Sequence, residues 1–175
     1  MKGETIGAET AEQWLRDIGC EPSEVPQAGA RWALKFNYPP THDDHPMLLL
    51  SPTAAPKAVM IGSRITVSPE HVAAFGELDD EAKVDFLREL RHTMFTDFAE
   101  FQIDPPGPGL VCPKEFQISV TRFADGLSLD ELFTSISRVF KTELLAIECF
   151  QTHLTPRDSG GSSGFEFYKV GGGIN

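Results

Sequence analysis

Little in this chain supports a secreted or membrane-bound life. It has three cysteines in 175 residues, Cys20, Cys112 and Cys149, and no two form a CxxC pair. So sparse and odd a set suits reduced, buried thiols and not a disulfide framework. No apolar run approaches the roughly 18 residues needed to span a bilayer. Residues 1–10 lack the basic start and apolar core of a signal peptide. The expectation is a cytoplasmic protein. Positive charge is also scarce, with 15 Lys and Arg against 26 Asp and Glu and a net charge of -11. Phosphate contacts need clustered basic residues, so nucleic acid is excluded as a partner, and anionic membrane with it. There is no Walker-type or Rossmann-type glycine signature, and no family motif surrounds any of the cysteines. No catalytic residue, resident metal or cofactor is expected.

What is present is a fold plan. At 41% hydrophobic, the chain can bury a core without metal or disulfide staples. Trp14, Leu15 and Ile18 give a first helix its apolar face. Thr10 and Gln13 read as its capping box and Gly19 as its stop. Residues 21–29 read as a connection. Trp32, Leu34, Phe36 and Tyr38 then alternate with Arg31, Ala33, Lys35 and Asn37, the period of a strand with one buried face. A second strand covers residues 47–50. Residues 58–67 read as one long strand, because Val59, Ile61, Ile65 and Val67 share a side, with a kink allowed at Gly62. Ser68-Pro69 opens a short helix. A longer helix starts near Asp79 or Asp80, its stripe running Val84, Leu87, Leu90, Met94 and Phe98. Residues 99–103 and 116–121 supply two further strands around a DPPGPG loop. Ser128 and Glu131 cap a long last helix with a stripe from Leu129 to Phe150. The expectation is an α+β domain over residues 1–154: about five antiparallel strands, helices on one face, order α-βββ-α-ββ-α. Residues 155–175, rich in Gly and Ser, read as a disordered tail. Within it, residues 165–170 (FEFYKV) have the alternation of a short strand that can add to a sheet edge.

This element order resembles that of type III secretion chaperones, which are small, acidic, cytosolic homodimers that bind extended segments of other proteins. The middle of the chain also resembles a family of short prokaryotic proteins, domain of unknown function 2299. The residues that carry the likeness are ITVSPEH (65–71), FLRELR (86–91) and ADGLSLDEL (124–132), and it extends over residues 10–153. The resemblance implies the fold and assigns no catalytic residue.

Candidate chemistry is thin. His42, Asp43, Asp44 and His45 are potential metal ligands, with His42, Asp44 and His45 the best placed. Adjacent side chains in a loop diverge, however, so a solvated hairpin tip is the simpler reading. Glu89-x-x-His92 has di-iron spacing, but no second copy follows, and a surface charge pair beside Arg88 and Arg91 explains it. Glu70 at a helix start is explained by the helix dipole. The functional expectation is a non-enzymatic, chaperone-like module that binds an extended protein segment and forms a homodimer. Arg31, Lys35, Gln117, Ser119 and Thr121 are the candidate partner-binding residues, on the open side of the sheet. Phe140, Leu144, Ile147 and Phe150 are the candidate dimer contacts. The alternative is a small-molecule binder or hydrolase whose site gathers His71, His92 and the two loop histidines.

Overall fold

The computed structural model describes residues 5–95, 99–104 and 109–154. Phe98, most of the DPPGPG loop, the FEFYKV segment and the rest of the tail lie outside the described residues.

The order is α1 (Ala8–Asp17), β1 (Ser23–Glu24), β2 (Ala30–Asn37), β3 (Pro46–Pro52), β4 (Ala58–Thr66), α2 (Pro69–Glu77), α3 (Asp80–Phe95), β5 (Glu100–Asp104), β6 (Glu115–Phe123) and α4 (Leu129–Leu154). The strands form one six-stranded sheet in the order β1-β2-β3-β4-β6-β5, and every neighbouring pair is antiparallel. β6 therefore enters between β4 and β5, its predecessor in the chain. Short connections make β2, β3 and β4 a meander. The long connection through α2 and α3 carries the chain past the β4 edge and leaves a gap that β6 fills.

Alternation sets the two faces. Leu34, Phe36, Met47, Leu49, Val59, Ile61, Ile65, Phe116, Ile118 and Val120 point to one side and join the core. α4 crosses β4 and β6 on that side, α1 covers β2, and α2 and α3 pack on α4. α4 is 26 residues long, about 39 Å at 1.5 Å per residue, which lets one helix reach both the sheet and the other helices. Leu132, Ile136, Val139, Ile147 and Phe150 of its stripe are buried, whereas Leu129, Phe133 and Leu144 are exposed.

The structure corrects several boundaries. α1 starts at Ala8 with Gly7 at the N-cap and no side-chain cap bond, so Thr10 lies inside the helix. Gly19 does end it, at a φ of 85° that favours glycine. Residues 21–29 hold a sixth, two-residue strand, paired at Ser23–Lys35 and Glu24–Leu34. It has no apolar alternation to announce it. α2 runs through Gly76 to Glu77. On α3, Val84 faces solvent and Phe86 is fully buried. Phe86 meets Phe75 and Phe150 edge-on, at centroid distances of 5.7 and 5.0 Å.

Candidate functional site

The helix-free face of the sheet takes the other half of each strand. Register places Lys35, Leu48, Gly62, Ser119 and Glu100 in one row across β2, β3, β4, β6 and β5. The next row is Ala33, Leu50, Met60 and Thr121, and on the other side Arg64 stands beside Gln117 and Gln102. Lys35, Gln117, Ser119 and Thr121 thus share this one face, whereas Arg31 falls at a β-bulge between Ala30 and Trp32, where the register gives it no partner. Its floor is lowest at Gly62. A Cβ there would come within 3.2 Å of the Ile118 carbonyl oxygen, so the close β4–β6 approach favours glycine, and no side chain rises from this point. Half-buried Leu48 and Met60 flank Gly62.

Charge on this face is graded. Lys35, and Arg31 at the bulge, stand exposed at the β2 end, and Glu100 and Asp104 are exposed on edge strand β5. Between them Arg64 is paired with Glu115 at 2.7 Å, a hydrogen bond that also raises the guanidinium pKa. The Arg31 guanidinium donates to the Pro56 carbonyl at 2.9 Å, which steadies it against the β3–β4 loop.

The helix-covered face holds a buried polar cluster. Glu143 on α4 is 1% exposed. Its Oε2 accepts from the Ser63 hydroxyl at 2.7 Å, and its Oε1 lies 2.9 Å from His45 Nδ1. A carboxylate only accepts, so Nδ1 carries the proton. The His45 ring meets Phe140 edge-on at 5.1 Å, and Tyr38 meets Phe140 at 5.4 Å. The Tyr38 and Ser137 hydroxyls are 3.3 Å apart. Among the described residues no buried side-chain polar atom lacks a partner. Serine, histidine and glutamate here are not a nucleophile with its base: the carboxylate lies between the other two, and the serine proton goes to it. The cluster fastens α4 to β4 and to the β2–β3 hairpin.

That geometry corrects the reading of the hairpin tip as wholly solvated. His42, Asp43 and Asp44 are exposed, but His45 is buried towards Glu143. His42, Asp44 and His45 therefore do not converge on an ion. Sequence reasoning passed over Glu143, although its position was a signal. It falls four residues after Val139 and four before Ile147, inside an apolar stripe, where a lone carboxylate calls for a partner.

The other candidates are placed elsewhere. His71 has Nδ1 2.8 Å from Ser68 Oγ, the N-cap hydroxyl of α2. Burial pushes its pKa below the usual imidazole value, opposed by the charge of Glu70. Glu89 reaches across to α4, where His153 Nε2 is 2.8 Å from its carboxylate, and Arg88 pairs with Asp85. The three thiols are free and buried. Burial raises Cys20 and Cys112 to about 11 and, with the Glu89 charge, Cys149 to about 12, values unsuited to nucleophiles. A cleft of about 470 Å³ between α3 and residues 109–110 is lined, among the described residues, by Val84, Leu87, Arg88, Arg91, Gly109 and Leu110, none of them a histidine. Of the four expected dimer contacts, Ile147 and Phe150 are buried in the chain's own core and Phe140 is half-buried beside His45. Leu144 is exposed, next to exposed Leu145.

A model of an uncharacterized conserved protein family matches residues 8–150, from the start of α1 to within the last turns of α4. This chain belongs to DUF2299. The crystal structure of an uncharacterized protein from Methanothermobacter thermautotrophicus is similar at 30% sequence identity and a TM-score of 0.75. The alignment covers 84% of this chain and 98% of that one. No curated protein matches. The DUF2299 span includes both sheet faces and the Ser63–Glu143–His45 cluster. No helix among the described residues is long and apolar enough to cross a membrane.

Proposed function

We propose that this DUF2299 chain is a cytoplasmic protein-interaction module that holds an extended, acidic segment of a partner protein across the helix-free face of its sheet. The observation that carries this reading is the makeup of that face. An apolar strip of Leu48 and Met60 runs beside the low point at Gly62, with Lys35 at one end, exposed Arg31 at the β-bulge of the same strand, and the hydroxyls of Ser119 and Thr121 along the other side. An extended chain laid there meets apolar contact in the middle and hydrogen-bonding groups beside it, as recognition of a segment requires. The basic end favours acidic residues despite the net charge of -11, because local potential governs docking. The likeness to secretion chaperones is one of element order and supports only the kind of occupant. In this reading the chain acts as a homodimer through the outer side of α4, where Phe133, Leu144 and Leu145 are exposed.

A photo-crosslinking residue at Thr121 tests the site in cells, with one at Asp85, exposed on α3, as the control. A protein adduct formed at position 121, absent at 85 and lost in the Arg31→Glu/Lys35→Glu variant is the expected outcome. Equal adducts at both positions, or an adduct indifferent to the charge reversal, would remove the support for the sheet-face reading.

A further inference from the structure

Where α3 and α4 pack, three potential metal ligands converge. Cys149 and His153 are four residues apart on α4, so they project from the same side of the helix one turn apart. Glu89 faces them from α3. One ligand atom from each, thiol sulfur, imidazole nitrogen and carboxylate oxygen, all lie within 4.8 Å of one another. We propose that Glu89, Cys149 and His153 form a binding site for a zinc-class divalent cation. The proposal stands apart from the sheet-face reading, on the other side of the molecule.

The donor set points to the ion class. Sulfur and imidazole nitrogen suit zinc and its neighbours, whereas magnesium and calcium take oxygen ligands. Three protein ligands with a solvent-supplied fourth make a complete tetrahedral shell. Bonds of about 2.0–2.3 Å place ligand atoms roughly 3.3–3.7 Å apart in a tetrahedron. No pair is more than 4.8 Å apart, so closing onto an ion takes at most about 1.5 Å, and because Glu89 and His153 are already 2.8 Å apart that adjustment is made relative to Cys149.

Burial is graded in the direction an ion would enter. The Glu89 side chain is 55% exposed and that of His153 26%, while Cys149 is buried. The carboxylate and imidazole form the mouth and the sulfur the floor. Phe86 packs edge-on against the His153 ring at 5.7 Å and limits its swing. In the ion's absence the Glu89–His153 contact at 2.8 Å keeps both groups at the mouth. On binding, the thiol proton leaves to solvent and the ion takes its place on sulfur. His153 lies beyond the residues matched by the family, so the site is assigned to this chain and not to DUF2299 as a whole. The same three groups could be read as a thiol nucleophile with its base, but a floor-buried sulfur has no path to a substrate carbon.

Cobalt(II) is the probe, added to the reduced full-length chain at one equivalent. The expected result is a thiolate-to-cobalt charge-transfer band that zinc abolishes, that magnesium leaves unchanged and that Cys149→Ser lacks. Glu89→Gln and His153→Ala should each weaken zinc binding at least about tenfold, the lower end of what losing even an outer-shell partner costs. The absence of a band, or its persistence in Cys149→Ser, would overturn the proposal, as would unchanged zinc affinity in both other variants. Fast alkylation of Cys149 in the folded apo-protein would also overturn it, in favour of a nucleophile. Should Cys149→Ser not fold, His153→Ala decides the matter, because that side chain is partly exposed at a helix end.

Discussion

Glu143 shows how much one residue can govern. Its two oxygens are committed to Ser63 and His45, so truncation leaves a buried hydroxyl and imidazole without their acceptor. Glu143→Ala is expected to cost about 2–6 kcal/mol in equilibrium denaturation, roughly 1–3 kcal/mol for each of the two buried groups left without its acceptor. Glu143→Gln, which keeps one acceptor oxygen, should cost less. A double-mutant cycle with His45→Ala should return a coupling energy well above zero, because the two side chains touch. His71 sets a pH dependence of a different kind. Its folded pKa is depressed by burial, so below the ordinary imidazole value of about 6.5 the unfolded chain binds more protons than the folded one. The contribution is fully present above that pH and is lost as pH falls towards the lower folded value. His71→Gln should flatten the fall in denaturation midpoint between about pH 7 and 5. A midpoint falling as steeply in the variant would assign the acid sensitivity to another group.

Among the elements, legibility followed periodicity. β2 was plain because four large residues alternate with four small or polar ones, and β4 because only a single strand keeps Val59, Ile61 and Ile65 on one side. α4 begins at Leu129 with Ser128 before it as the expected cap, and the Ser128 hydroxyl accepts from the Glu131 amide at 3.2 Å. Ser128→Ala should therefore lower stability by about 1 kcal/mol, read as a shift in urea midpoint with unchanged slope. α1 misled because Thr10 and Gln13 have cap spacing, yet the helix had already begun at Ala8. β1 was invisible, since two residues carry no period. The open-face residues were legible for the same reason as the strands: alternation assigns sides. Glu143, Ser63 and His45 were not read together because three separate elements bring them into contact, over sequence separations of 80 and 98. Glu89, Cys149 and His153 were missed similarly, since Glu89 looked paired within its own helix and only α3–α4 packing shows otherwise.

The whole molecule has two unlike sides. The acidic excess lies in the helical segments, which coat one side of the sheet, while the other side is mixed, with Lys35 at one end and Glu100 and Asp104 at the other. Partner docking and the α3–α4 cation site would thus occupy opposite sides and leave each other sterically untouched. The position of β6 has a consequence for biosynthesis. β4 emerges from the ribosome long before residues 115–123, its neighbour on one side. Until β6 is made, Val59, Ile61 and Ile65 lie along an unpaired border, the kind of surface on which nascent chains can join one another. Closure needs contacts distant in sequence, which slows it. Nor can α4 cover its half of the sheet before the final stretch is translated. The vulnerable period of this protein is therefore its synthesis, and it ends only when nearly the whole folded region has left the tunnel.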